Sequence, residues 1–256
     1  MITSPSRLFL VPLVLLSLAF PLLAGEPTVL IETEFSNQVP GEAVVGAKDQ
    51  DLPLKFPSSA AANAGSSLIA GKEAIGNLKP PFALFQLGRR AENPDAVANA
   101  YMNWDLRREG MTEGVFELTA TITPLDSAIT GGHLIVGFLD GEGQAEHSDP
   151  PMHLSLFPAQ IGFAGINFVA GGKKFPFQAE QTYEIKMRFN LASREWSCWV
   201  DGDELVSSMP FPPQMSAEAY PRLMLGSVSL SSQAGYSAKP DARYALSKLT
   251  LKKLAE

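Results

Sequence analysis

The residues best suited to chemistry lie in the run Tyr101-Met-Asn-Trp-Asp-Leu-Arg107. Read as an extended strand, it puts Tyr101, Asn103, Asp105 and Arg107 on one face and Met102, Trp104 and Leu106 on the other. A ring, an amide, a carboxylate and a guanidinium at two-residue intervals can recognise a sugar, because the flat face takes its C–H surface and the polar atoms take its hydroxyls. A second candidate is Trp199. Period-two reading of residues 195–200 turns Trp196, Cys198 and Val200 inward, leaving Trp199 outward beside Ser197 and Glu195. An outward Trp offers a stacking surface; the alternative is that a loop or the Pro210-Phe211-Pro212 segment covers it. Inward Cys198 reads as a small buried hydrophobe with an inert thiol.

A third constellation is the loop Asp140-Gly-Glu-Gly-Gln-Ala-Glu-His-Ser-Asp149. Hard cations such as calcium take clustered carboxylate oxygens, so Asp140, Glu142, Glu146 and Asp149 are the candidate metal ligands. The spacing does not match an EF-hand loop, and the alternative is a solvated acidic turn. His133, His147 and His153 share no helical or hairpin spacing and read as ordinary strand or loop residues. Glu32 and Glu34 lie two apart on one face of an N-terminal strand and read as a solvated edge. No Gly-x-Ser-x-Gly elbow and no phosphate-binding glycine loop occurs.

These residues need a scaffold, and the sequence describes it as strands. In Tyr183-Glu-Ile-Lys-Met-Arg-Phe189 the apolar positions alternate strictly with charged ones, and residues 115–123 repeat the pattern. Such alternation marks strands buried on one face of an antiparallel sheet. Further strands are expected at 28–35, 67–75, 82–87, 98–107, 133–139, 153–157, 161–169, 195–200, 222–230 and 243–252. Phase changes at Ala164-Gly165 and Ser247-Lys248 are expected to be bulges or bends. Asp201-Gly202 is a hairpin-turn signal between 196–200 and 205–206. Residues 39–65, rich in Ala, Ser, Pro and Gly, read as a long irregular excursion. Many short strands and no amphipathic helix imply an all-β fold, a two-sheet antiparallel β-sandwich of the jelly-roll type.

The run 183–205, with its alternating strand, short loop, Trp-bearing strand and Asp-Gly turn, resembles a hairpin of the concanavalin A-like lectin/glucanase jelly rolls. That superfamily includes laminin-G-like modules and bacterial glycan-active domains. Residues 245–252 are similar to its closing strand, which lies beside the first. The resemblance implies a fold and leaves the activity open. The glycosidases of that superfamily carry two carboxyls in a Glu-x-Asp-x-x-Glu motif, which this sequence lacks.

Residues 1–24 read as a secretory signal peptide: Arg7, then the apolar run from Leu8 to Leu23, then Ala24. The expected product is one sandwich domain, residues 25–256, in the periplasm or outside the cell, with no membrane span once the signal is removed. One Cys in 256 residues excludes an internal disulfide and a Cys-based zinc site. A formal charge of −7 argues against a sequence-independent nucleic-acid binder. Three readings follow. The first is a non-catalytic module that binds a carbohydrate, either a polysaccharide or another glycan, or a cell-envelope polymer, with calcium as the one cofactor to consider. The second is a glycoside-active enzyme with Asp105 and Glu184 as acid/base candidates. The third is a structural or protein-interaction module of the envelope that uses its strand edges.

Overall fold

A computed structural model describes residues 25–63, 66–86, 98–140, 156–234 and 243–255. The strands, in chain order, are β1 (Thr28–Thr33), β2 (Ser59–Asn63), β3 (Ser67–Ala70), β4 (Ala83–Gln86), β5 (Ala98–Asp105), β6 (Val115–Pro124), β7 (Ile129–Asp140), β8 (Leu156–Gly165), β9 (Asn167–Ala170), β10 (Lys173–Pro176), β11 (Tyr183–Asn190), β12 (Glu195–Val200), β13 (Asp203–Pro210), β14 (Leu223–Ala234) and β15 (Arg243–Lys253). They form two antiparallel sheets packed as a sandwich. The first sheet runs β13-β12-β11-β6-β15-β4-β3 with β1 also on β15, and the second runs β10-β9-β8-β7-β14-β5-β2.

The alternation read from the sequence is the alternation of burial. Tyr183, Ile185, Met187 and Phe189 are buried while Glu184 and Arg188 are exposed. Across β6, Phe116, Leu118, Ala120 and Ile122 meet them in register. Facing these from the second sheet are Met102, Trp104, Leu134, Val136, Phe138, Val228 and Leu230, all in the same apolar core. Rings interlock at both ends of it. Phe116 stacks on Phe189 at 5.4 Å and Phe138 meets Phe189 edge-on, while Phe85 stacks on Tyr244 at 4.7 Å. Each such ring contributes about 1.5–3 kcal/mol by leaving water, which suits a chain whose one thiol, Cys198, is fully buried and free.

Some expectations are corrected. The run 161–169 is two strands, because Ala164 pairs with Asn167 around a tight Gly165-Ile166 turn where Gly165 has φ +64°. The phase change at Ser247 is a bulge: the register against β6 slips between Leu246 and Lys248, where β15 exchanges β4 for β1 as its neighbour on the other side. The strand begun at Ser67 ends at Ala70, and the strand begun at Ala98 ends at Asp105, leaving Arg107 in a 3-10 turn over Arg107–Glu109. β10 had no counterpart in the sequence reading.

The excursion 39–65 contains β2, and its residues around Ala43 and Leu54 close edges of the first sheet. Leu54 bridges to Ile31 beside β1, and Ala43 bridges to Ile69 beside β3. Two glutamine side chains clip it in place. Gln38 accepts from Val45 N and donates to Val45 O, at 2.9 and 3.1 Å. Gln50 accepts from the amides of Lys55 and Phe56 and donates to the carbonyls of Ala47 and Phe56. A side-chain amide has the donor and acceptor of a peptide group, so it can stand in for a neighbouring strand.

Candidate functional site

Burial sorts β5 as its alternation requires: Met102, Trp104 and Leu106 are fully buried, while Tyr101, Asn103 and Asp105 are half-buried on the outer face of the second sheet. Trp104 fixes the strand from beneath. Its indole N–H crosses the core to donate to Thr33 Oγ1 of the other sheet at 3.0 Å, and that hydroxyl donates in turn to Leu54 O at 3.4 Å.

The neighbours of β5 decide what the outward row can do. On β14 the residues opposite Asp105, Asn103 and Tyr101 are Ser227, Ser229 and Ser231. Beyond them on β7 stand Gly137, Ile135 and His133, then Gln160 and Gly162 on β8. Three serines therefore floor a strip walled by Tyr101, Asn103 and Asp105 on one side and His133 and Ile135 on the other. Its walls are two strand spacings apart, about 10 Å, and the serines span about 13 Å along the strand. The sequence reading missed this floor, although 227, 229 and 231 carry the alternating serines that could have signalled it.

The polar groups of the strip are pre-positioned. Ser229 donates to Asn103 Oδ1 at 2.7 Å, which turns the Asn103 amide nitrogen away from that contact. Ser58 accepts from Asp105 N at 3.0 Å, and Ser58 N donates to Asn103 O at 2.7 Å. The expectation that Arg107 continues the strand face is replaced by a tighter arrangement. The 3-10 turn brings its guanidinium back onto Asp105, with Nε to Oδ1 at 2.9 Å, Nη2 to Oδ2 at 2.5 Å, and Arg107 N to Oδ1 at 3.0 Å. Burial pushes the Asp105 carboxyl up, but these hydrogen bonds and the charges of Arg107 and Arg108 outweigh it and hold the group below its usual value. Asp105 is thus an ionised, neutralised acceptor. Burial pushes His133 down, partly offset by a hydrogen bond to the Gly131 backbone, which favours its neutral form.

Trp199 is on the opposite side of the molecule. It pairs with Lys186 and, through it, with Thr119 on the outer face of the first sheet. The Arg188 guanidinium lies 6.0 Å from its ring centroid while also binding Glu117 Oε2 at 2.7 Å. A cation over the ring competes for the surface a sugar would use. Phe211 does not cover Trp199; it is buried against Phe138 at 5.3 Å. Glu184 shares this outer face, opposite Thr121, so Asp105 and Glu184 lie on different faces of the sandwich and do not form an acid/base pair.

Glu32 and Glu34 border a shallow groove of about 290 Å³ with Lys55, Ser36 and Asn37. Each carboxylate is engaged, Glu32 by Lys55 and Glu34 by Lys248 at 2.9 Å. The hydrogen bond and charge of Lys55 lower the Glu32 pKa, and those of Glu34 raise that of Lys248. Of the candidate metal ligands, Asp140 ends β7, whereas Glu142, Glu146 and Asp149 lie outside the described residues. Among the described residues no three His, Cys, Asp or Glu side chains gather as a metal site, and no helix is long and apolar enough to cross a membrane.

No protein-family model matches the sequence, and no curated protein matches it. Among solved structures the chain is similar to a sialidase, at 12% identity and a TM-score of 0.45, over 78% of this chain and 19% of that one. It is similar to a protein of unknown function from Shewanella oneidensis MR-1, at 12% identity and a TM-score of 0.44, covering 83% of this chain and 86% of that one. A carbohydrate esterase from Shiga toxin-encoding bacteriophage phi24B is similar at 10% identity and a TM-score of 0.44, covering 90% and 100%.

Proposed function

We propose that this chain is an exported, non-catalytic β-sandwich module, residues 25–256 after removal of 1–24, that binds a carbohydrate or a cell-envelope polymer on the outer face of the second sheet. The observation that carries the reading is the strip along β14: a serine floor beside Tyr101 and Asn103, on strands held rigid from the core side. Hydroxyl-rich ligands suit alternating hydroxyl and amide partners with one flat ring. Because Asp105 is neutralised by Arg107, the strip favours an uncharged chain over an anionic one. Trp199 belongs to this proposal only as a second, separate surface. A calcium ion held by Asp140, Glu142, Glu146 and Asp149 is the cofactor proposed with it.

The test is binding of residues 25–256 to a polysaccharide panel, in calcium and in chelator. Tyr101→Ala combined with Asn103→Ala is expected to weaken retention at least tenfold, equivalent to about 1.4 kcal/mol. Trp199→Ala, on its separate surface, should weaken retention less than that pair of substitutions. Loss in chelator supports the calcium element. Silence towards every polysaccharide overturns the carbohydrate reading and directs the search to protein partners of the envelope.

A further inference from the structure

His133 stands on β7 directly opposite Ser231 of β14, with Tyr101 one strand further on, so an ionisable ring borders the serine strip. That ring is seated. Its partner on β8 is Gly162, where a Cβ would come within 2.5 Å of Cδ2 and 3.0 Å of Nε2, so the imidazole lies against bare backbone. Gly131, with φ +87° where the β7 register against β8 slips, accepts a hydrogen bond from the ring through its backbone. A side chain held on two sides gives up little rotamer freedom when it engages a ligand. The groups around it carry no counterion. Its neighbours on the outer face are Gly131 and Ile135 along β7, Ser229 and Ser231 on β14, and Gln160 and Gly162 on β8. Beyond these stand the Tyr101 phenol and Asn103 on β5 and Val169 on β9. The nearest charges on this face among the described residues are Lys174 of β10, about 14 Å away, and the Asp105–Arg107 pair, about 17 Å away by strand spacing. Both lie beyond the screening length of about 10 Å at moderate ionic strength.

We propose that His133 selects the ligand by its charge: neutral, it leaves the strip to an uncharged glycan, and protonated, it admits a chain bearing carboxylates, a polyuronate. This rests on the strip being the glycan surface. Burial favours the neutral ring, so the change of ligand falls on the acid side of the ordinary histidine range. Once protonated, the ring nitrogen that Gly131 does not use becomes a charged donor, and no described carboxylate competes for it. A uronate on a chain lying along the serines supplies the missing counterion through a charge-assisted hydrogen bond. Asp105 gives no such response, because Arg107 already cancels its charge. Linkage makes the effect reciprocal: the factor by which protonation strengthens chain binding is the factor by which the chain strengthens proton binding at His133.

The test compares residues 25–256 with His133→Gln, which keeps a polar side chain but cannot take the proton. Retention on polygalacturonate and on uncharged polysaccharides is measured at about pH 7.5 and about pH 5, on either side of the histidine range. Acidification makes the whole surface less negative in both proteins, so the readout is the difference between them. The parent should gain about threefold to fivefold more on polygalacturonate than the variant does, the scale of one partly exposed ion contact. Proton NMR of the parent gives a second readout: the histidine ring signal missing from His133→Gln should titrate about half a pH unit higher with polygalacturonate present, the same factor by linkage. An equal gain in parent and variant, or a His133 signal that polygalacturonate does not move, overturns the inference. Retention of uncharged chains at about pH 7.5 without a histidine-dependent gain in acid overturns it alone and leaves the glycan surface standing, whereas retention of no chain at either pH overturns both.

Discussion

Replacing Thr33 by Val exchanges a hydroxyl for a methyl of similar volume at a side chain only 1% exposed. The cavity term is therefore small, and the effect isolates the hydrogen bond from Trp104. Leu54 O keeps a partner in the variant, because Glu32 N donates to it at 3.0 Å. The 3.4 Å bond from Thr33 to that oxygen is long and contributes little. What remains is one indole N–H left unpaired in a fully buried setting, which costs about 1–3 kcal/mol. At this size that corresponds to a Tm lower by about 2–4 °C for each kcal/mol. Urea unfolding should show the midpoint falling with the slope unchanged, the mark of altered stability without altered compactness. Trp196 supplies the control, being buried with an indole nitrogen that has no hydrogen-bond partner among the described residues. Trp104→Phe and Trp196→Phe delete similar volumes, so the first should cost more than the second by about 1 kcal/mol, the value of the bond itself. Thr33→Val added to Trp104→Phe should cost almost nothing further. If Thr33→Val unfolds within about 0.5 kcal/mol of the parent, the size of an ordinary surface change, the cross-sheet bond does not hold β5 and the argument fails.

Arg107→Ala should destabilise the protein by up to about 1 kcal/mol at neutral pH, the scale of a partly exposed ion pair. Because Asp105 is held below its usual value, that contribution is present above the unfolded-state carboxylate pKa and disappears as pH falls through the folded one, so parent and variant should converge in acid unfolding. Gln50→Glu keeps the shape but removes both donors to Ala47 O and Phe56 O; a loss of about 1–3 kcal/mol is expected in thermal melts, and an unchanged Tm would show that the clip is dispensable. Burial pushes the Cys198 thiol up to about 12, so a thiol reagent should label it only at the rate of global unfolding. Fast labelling of the native protein would contradict that burial.

Strands whose two faces meet different surroundings were legible, because β6 and β11 write that difference directly into alternate residues. β2 was not legible: three consecutive alanines show no period, and its strand state comes from pairing with β5 across Ser59 to Asn103. The Gly165-Ile166 turn was read as a bulge or bend within one strand because all of these break phase, and only the pairing of Ala164 with Asn167 shows two strands. The outward row of Tyr101, Asn103 and Asp105 was readable from spacing, yet its serine floor required knowing that residues 227–231 lie beside it, a long-range contact. The same gap hid that Trp199 and Tyr101, the two rings offered to a ligand, belong to different sheets. Arg107 was placed one strand step too far because the run into the 3-10 turn is still composed like a strand.

The two outer faces differ in how they respond to salt. From β2 to β9, Asp105 is the one charged residue among the outward strand positions named above, and Arg107 cancels it. The other face alternates Glu117, Arg188, Lys186, Glu184, Lys248 and Lys252 along paired strands. Exposed charges lose their reach within about 10 Å at moderate ionic strength, while contacts made by hydroxyls, amides and rings hardly change. Ionic strength therefore serves as a label for orientation. A partner whose affinity survives added salt is held by the serine side, and one that is released by salt was held by the charged side, before any residue is altered.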